Sequence, residues 1–152
     1  MTRMTGRAAA VLIAALAIFS SPAHAEKPGV PVTLSGYSAI DGDDLVIGGE
    51  TSAPDGTWLI FATYSVETPR IRKRSYMLVK NGRFSARVNV YGWPSGEIET
   101  DIHFQTMLPE REQPAIVFRK YGAKGERMTG KTVVQQGESY RAAVIELRTR
   151  KP

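Results

Sequence analysis

The stretch Met77-Leu78-Val79-Lys80-Asn81-Gly82-Arg83-Phe84-Ser85-Ala86-Arg87-Val88 decides the fold. Apolar and polar side chains alternate on both sides of Asn81-Gly82. A period of two marks strands with one face in the core and one in water. Asn and Gly both accept positive φ, which the two central residues of a type I′ hairpin turn require. A two-residue loop pairs Lys80 with Arg83, and the register beyond follows: Val79 with Phe84, Met77 with Ala86, Ser75 with Val88. The opposite face then carries Lys80 with Arg83, Leu78 with Ser85, Tyr76 with Arg87 and Arg74 with Asn89. One face is core and the other is basic.

The same chemistry extends outward along the chain. Val32 and Leu34 alternate with Thr33 and Ser35 in a first, edge strand, and Asp41-Gly42-Asp43-Asp44 is a turn into a second strand, Leu45 to Glu50. Pro54-Asp55-Gly56 reads as a type I turn with Pro54 second and Gly56 fourth. It leads into Thr57–Val66, the most apolar strand, with Trp58, Ile60, Ala62 and Tyr64 on one face and Leu59 and Phe61 on the other. Apolar residues on both faces predict a central strand with Trp58 in the core. Pro94-Ser95-Gly96 is a further turn, beside which Trp93 is expected to be half exposed. Glu97–Gln105 points Ile98, Ile102 and Phe104 inward and Glu97, Glu99, Asp101 and His103 outward. Ala115–Tyr121 is a short helix ended by Gly122. Tyr140–Thr149 is a last strand with Ala143, Ile145 and Leu147 inward, and Arg148, Arg150 and Lys151 form a solvated edge and tail. Roughly seven strands with turns every ~10 residues predict an all-β, antiparallel sandwich.

The N-terminus predicts the compartment. Arg3 and Arg7 form a basic start, Ala8–Phe19 an apolar run, and Ala23-His24-Ala25 a small-x-small cleavage site. The run is about 12 residues, short of the ~20 that span a bilayer. We therefore read 1–25 as a cleaved Sec-type signal peptide, 26–31 as a linker and 32–152 as one domain. Periplasmic or extracellular residence is expected, with no transmembrane segment after cleavage. The chain has no cysteine, which excludes disulfides, thiolate metal sites, cysteine nucleophiles and lipidation of an N-terminal cysteine. Loss of Arg3 and Arg7 reduces the net charge from +5 to +3, which by itself is no nucleic-acid footprint.

Several of these segments resemble small secreted bacterial immunoglobulin-like domains: residues 48–59 (GGETSAPDGTWL), 79–85 (VKNGRFS) and 93–97 (WPSGE). The resemblance covers 45–122, closing at Gln113-Pro114 and Tyr121-Gly122. It implies an immunoglobulin-like sandwich serving adhesion, binding or assembly, and it carries over no catalytic residue. The Cys–Trp–Cys core of antibody domains is absent.

The residues that could carry chemistry are few. After cleavage one histidine remains, His103, with Glu99 and Asp101 on its strand face and no nucleophilic-serine motif nearby. One histidine without cysteine does not make a transition-metal site; Glu99, Asp101 and His103 could hold an ion weakly. Asp41, Asp43 and Asp44 lack the following residues of a calcium loop and read as turn chemistry. Glu97, Glu99 and Asp101 on an open face lack the sheltered cleft that a glycosidase acid needs.

The basic face remains. Arg70, Arg72, Lys73 and Arg74 form a run, and Arg74, Lys80, Arg83 and Arg87 share a face with Tyr76. If the next strand pairs alongside, Glu97, Glu99 and Asp101 neutralise much of it through a cross-strand ladder. The expectation is a non-enzymatic binding module acting through Arg72, Arg74, Tyr76, Arg87 and Trp93. It has no cofactor, and its partner is an envelope protein or an anionic glycan. The alternative is an assembly module that pairs through free edges at Val32–Tyr37 or Tyr140–Thr149. A hydrolase built on His103 or two sheltered acids stands third.

Overall fold

The computed structural model describes residues 27–138 and 140–152; the expected leader and Glu26 lie outside the described residues. In chain order the elements are β1 (Val30–Pro31), β2 (Leu34–Asp41), β3 (Asp44–Thr51), β4 (Trp58–Ser65), β5 (Arg72–Leu78), β6 (Arg83–Asn89) and β7 (Gly96–Gln105). These are followed by α1 (Ala115–Tyr121), β8 (Met128–Thr129), β9 (Val133–Gln136) and β10 (Tyr140–Lys151). Of the described residues 55% are strand and 6% helix, an all-β structure. No described helix is long and apolar enough to cross a membrane.

Two antiparallel sheets carry the fold. One has the order β5-β4-β7-β10-β9 and the other the order β2-β3-β6. Leu59, Phe61, Met77, Ile98, Ile102, Phe104 and Ala143 from the first bury against Leu34, Leu45, Ile47, Phe84 and Val88 from the second in one hydrophobic cluster. Full burial of each such side chain contributes ~1.5–3 kcal/mol, and this shared core makes the arrangement sandwich-like. β1 pairs with β8 in parallel, so the end of the expected 26–31 linker, Val30–Pro31, is a short strand.

Alternation places the faces of β4, β7 and β10 as expected. The helix stands at Ala115–Tyr121 and ends at Gly122, whose φ is 89° and whose N–H bonds the Phe118 carbonyl at 2.9 Å. It buries Val117 and Tyr121, and the Tyr121 ring meets Phe104 edge-on, 5.2 Å between centroids. The Pro54 turn is shifted by one residue. Thr57 N–H bonds the Pro54 carbonyl at 3.1 Å, so Gly56 is third in the turn, where its φ of 84° needs a glycine.

Asn81 and Gly82 have φ of 51° and 70° and reverse the chain as predicted. Lys80 and Arg83 exchange both backbone hydrogen bonds, at 2.9 and 3.1 Å. There the hairpin ends. β5 continues beside β4 and β6 beside β3, in opposite sheets, so the pairs Val79–Phe84, Met77–Ala86 and Ser75–Val88 are not made. Met77, Val79, Phe84 and Val88 are all buried. They enter the core from opposite sheets, which pack ~10 Å apart, where a continued hairpin would have presented the same side chains from one sheet.

The two sides of the sandwich therefore differ. On one, β2 lies close over β10: Gly36 lacks a side chain opposite Ile145 and Leu147, and the Ser38 and Thr149 hydroxyls are hydrogen-bonded. On the other, β5 and β6 are edges with no strand beyond them among the described residues. β10 is paired with β7 through Ala142–Lys151 but with β9 only over Tyr140–Ala143. The expected edge at Tyr140–Thr149 is therefore covered at its start, and from Ile145 on it has no second ladder partner among the described residues, with β2 lying over it.

Candidate functional site between two sheet edges

The hydrogen bonds at the turn fix which backbone groups face the opening. Val79 N–H bonds the Thr57 carbonyl, and Lys80 bonds Arg83. Backbone direction alternates along a strand. Odd residues of β5 thus bond β4, and Arg72, Arg74, Tyr76 and Leu78 turn their amides to the open side. On β6, Val90 N–H bonds the Asp43 carbonyl, so Ser85, Arg87 and Asn89 present theirs from the opposite wall. The groove between has a volume of about 660 Å³ and is lined by both strands, with Phe61 beneath.

Three of the five expected binding residues, Arg74, Tyr76 and Arg87, line this groove, in a different arrangement from the one expected, and Arg72 lies beyond its lining on β5. Arg72 and Arg74 are exposed on β5, opposite Tyr64 and Ala62 of β4. Among the described residues no carboxylate lies within 4 Å of Arg70, Arg72, Lys73 or Arg74. Tyr76 is half-buried and meets Trp58 edge-on at 6.5 Å, and the Arg111 guanidinium sits 4.3 Å from the Trp58 ring and 5.0 Å from Tyr76. Trp58 thus lies on the outer face under an arginine, outside the core. Arg87 stands on the opposite wall, its guanidinium bonded to Asp41 at 2.7 Å and Asp44 at 3.1 Å. These bonds, Asp41 first, raise its pKa. Trp93 is 9% exposed and belongs to the core. The expectation for it fails because the Val90–Trp93 turn folds the indole inward.

The expected ladder of Glu97, Glu99 and Asp101 against β6 does not form, since β7 lies between β4 and β10. Its counter-ion is Arg148, which bonds Glu97 at 3.0 Å, Glu99 at 3.1 Å and Glu146 at 2.8 Å. Arg148, expected at a solvated edge, is exposed on β10 but is also the centre of an ion network. The Tyr64 hydroxyl donates to Glu99, and that bond is the main reason its pKa is pushed up to about 12. The carboxylates of Glu99, Asp101 and Glu146 lie within 4.8 Å of one another. Burial, then the charge of Glu99, raises the Asp101 pKa. His103 stands between Ile60 and Val144, outside this cluster. Burial lowers its pKa; Asp101 opposes that shift and Arg74 adds to it.

Asp41 and Asp44 as partners of Arg87, and Ser85 and Asn89 as an open edge, were not found from the sequence. The turn and the alternation are the same whether two strands stay paired or part into separate sheets. No protein-family model matches this chain, and no curated protein matches it in sequence.

Proposed function

We propose that this chain is an exported, non-enzymatic interaction module that binds an extended, acidic segment of an envelope protein by strand addition along the β5–β6 opening. One observation carries the proposal: two sheet edges face each other with outward amides, and past Lys80–Arg83 no strand pairs with them among the described residues. An added strand supplies the missing hydrogen bonds, as in other edge-capture systems. Arg70, Arg72, Lys73 and Arg74 favour carboxylates in that strand. They also keep the free edge from pairing with copies of itself. The order β2-β3-β6 against β5-β4-β7-β10 supports reading the frame as an immunoglobulin-like sandwich. The leader read at 1–25 supports a periplasmic or extracellular setting.

The test uses a labelled peptide of alternating Glu and Val, with a Lys–Val peptide as control, followed by fluorescence anisotropy. The acidic peptide should bind and the basic one should not. Arg74→Pro removes an amide on the open side while leaving the β4–β5 bonds in place, a position where proline is tolerated, and should abolish binding. Replacing Arg72, Lys73 and Arg74 with Glu should weaken it. Equal affinity for both peptides, or indifference to Arg74→Pro, refutes strand addition.

A further inference from the structure

The outer face of the β2-β3-β6 sheet holds a second feature, independent of the opening. Its register sets Tyr37, Gly48 and Ser85 side by side, and Ser35, Glu50 and Arg83 in the next row. Lys80 extends that second row through its bridge to Arg83. The Tyr37 phenol reaches across to β3. Its hydroxyl, Cζ and Cε1 lie 2.6, 2.7 and 2.9 Å from where a Cβ on Gly48 would stand. The ring occupies the space a side chain at 48 would take, so a larger residue there would displace it. The ring is nevertheless 59% exposed. It forms the base of a depression of about 800 Å³ whose lining also includes Glu50, Leu78, Lys80, Arg83 and Ser85.

The donors around the ring are unsaturated. Arg83 Nε stands 3.5 Å from Glu50, and both side chains are largely in solvent, so the guanidinium retains a free fork. Among the described residues Lys80 has no carboxylate within 4 Å. Ser35 and Ser85 contribute hydroxyls. An apolar ligand would leave these groups unpaired, which is costly. A pyranose instead lays C–H bonds on the aromatic face and presents hydroxyls at its rim, and the volume suits a short oligosaccharide. Two cations against one carboxylate add a preference for a sugar acid, since a guanidinium fork matches a carboxylate.

We propose that Tyr37, with Arg83 and Lys80, forms a binding site for an oligosaccharide containing hexuronic acid. The probe is trigalacturonate, titrated calorimetrically into the 26–152 chain at low salt, with neutral galactotriose as its control. The acid should bind saturably and at least about tenfold more tightly than the neutral sugar, a difference that added salt reduces. Tyr37→Ala should weaken binding by about tenfold or more, whereas Tyr37→Phe, which keeps the ring, should stay within about threefold. Arg83→Met should remove the preference for the acid and leave galactotriose binding unchanged. If Tyr37→Ala does not fold, Ser85→Tyr serves instead: it leaves residue 37 native, sets a second ring beside Gly48 in the same row, fills the depression and should also abolish binding. Replacing Arg72, Lys73 and Arg74 with Glu should leave the sugar bound, separating this site from the strand-addition opening. No saturable binding, equal affinity for both sugars, or binding that survives both Tyr37→Ala and Ser85→Tyr overturns the proposal.

Discussion

The side-chain amide of Gln113 makes to Trp58 the hydrogen bonds that a neighbouring strand would otherwise make. Its Oε1 accepts from the Trp58 N–H at 2.9 Å, and its Nε2 donates to the carbonyls of Trp58 and Gln105, both at 2.8 Å. Pairing of β4 with β7 stops at Ile60–His103. Gln113 is inserted where Trp58 and Gln105, two steps further along the same register, would have paired. It is 3% exposed, so water cannot take over its role. It also anchors the loop that brings Arg111 over Trp58.

Gln113→Ala should therefore cost roughly 2–3 kcal/mol in urea unfolding, the cost of leaving a buried amide and carbonyls unpaired. Gln113→Glu should be no better, because a carboxylate cannot donate to two carbonyls. Trp58 fluorescence should change in both variants as the loop loosens and Arg111 leaves the indole. A Gln113→Glu protein as stable as the parent would disprove this bonding scheme.

Trp93→Ala should destabilise by about 3–5 kcal/mol, as expected for truncating a buried tryptophan. The Trp93 carbonyl also accepts from Lys151 Nζ at 2.7 Å, which ties the end of β10 to the same turn. Trp58→Ala, on the outer face, should cost clearly less. Denaturant midpoints of the two variants compare them directly, and the reverse order would place Trp93 outside the core.

Tyr64 should ionise at about 12, whereas Glu99→Gln should return it toward the ordinary value of 10.0. The hydroxyl donates to a carboxylate, so removing its proton both breaks that bond and sets two negative charges together. Spectrophotometric titration of the two proteins should differ by one tyrosine in the upper part of the curve. Coincident curves would mean that the Tyr64–Glu99 bond does not persist in solution.

What was legible in the sequence was local. Asn81-Gly82 turned the chain because two consecutive positive φ values admit few other residues. The faces of β4 and β7 followed from alternation, and α1 from a lost period and a terminal glycine. The membership of β5 and β6 in different sheets was hidden, because Met77, Val79, Phe84 and Val88 show the same alternation in a hairpin and across a sandwich. The two tryptophans were misplaced for a related reason. Trp58 leaves the core because its neighbours across the strands are Tyr76 and a loop arginine. Trp93 enters the core because its turn folds over the end of the sheets. The counter-ion of Glu99 lies 49 positions away in sequence, at Arg148, and only the β7–β10 register reveals it. Of the expected binding residues, Arg72 and Arg74 kept their cations free, whereas Arg87 was taken by aspartates previously read only as a turn.

Asp101 makes the acid network sensitive to pH, and the sign follows from its neighbours. It stands on β7 between Ala62 of β4 and Glu146 of β10, with Glu99 and His103 two residues away on its own strand. Burial and the charge of Glu99 raise its pKa above 3.8, and His103 opposes the shift. Between 3.8 and that raised value the folded chain holds more of the proton than the unfolded chain does. Stability from this group is thus present at low pH and lost as pH rises through the folded pKa. At neutral pH the carboxylate is a net cost, softened by its partial exposure to solvent. Asp101→Asn should therefore melt at a higher temperature than the parent at neutral pH. The gap should narrow as pH falls and close below the ordinary carboxylate range, where both states of the parent are protonated. Melting temperatures of the two proteins across that pH range measure the gap directly. An asparagine variant less stable than the parent at neutral pH would show that Asp101 is held by a favourable cationic partner, with His103 the cation whose charge already acts on it.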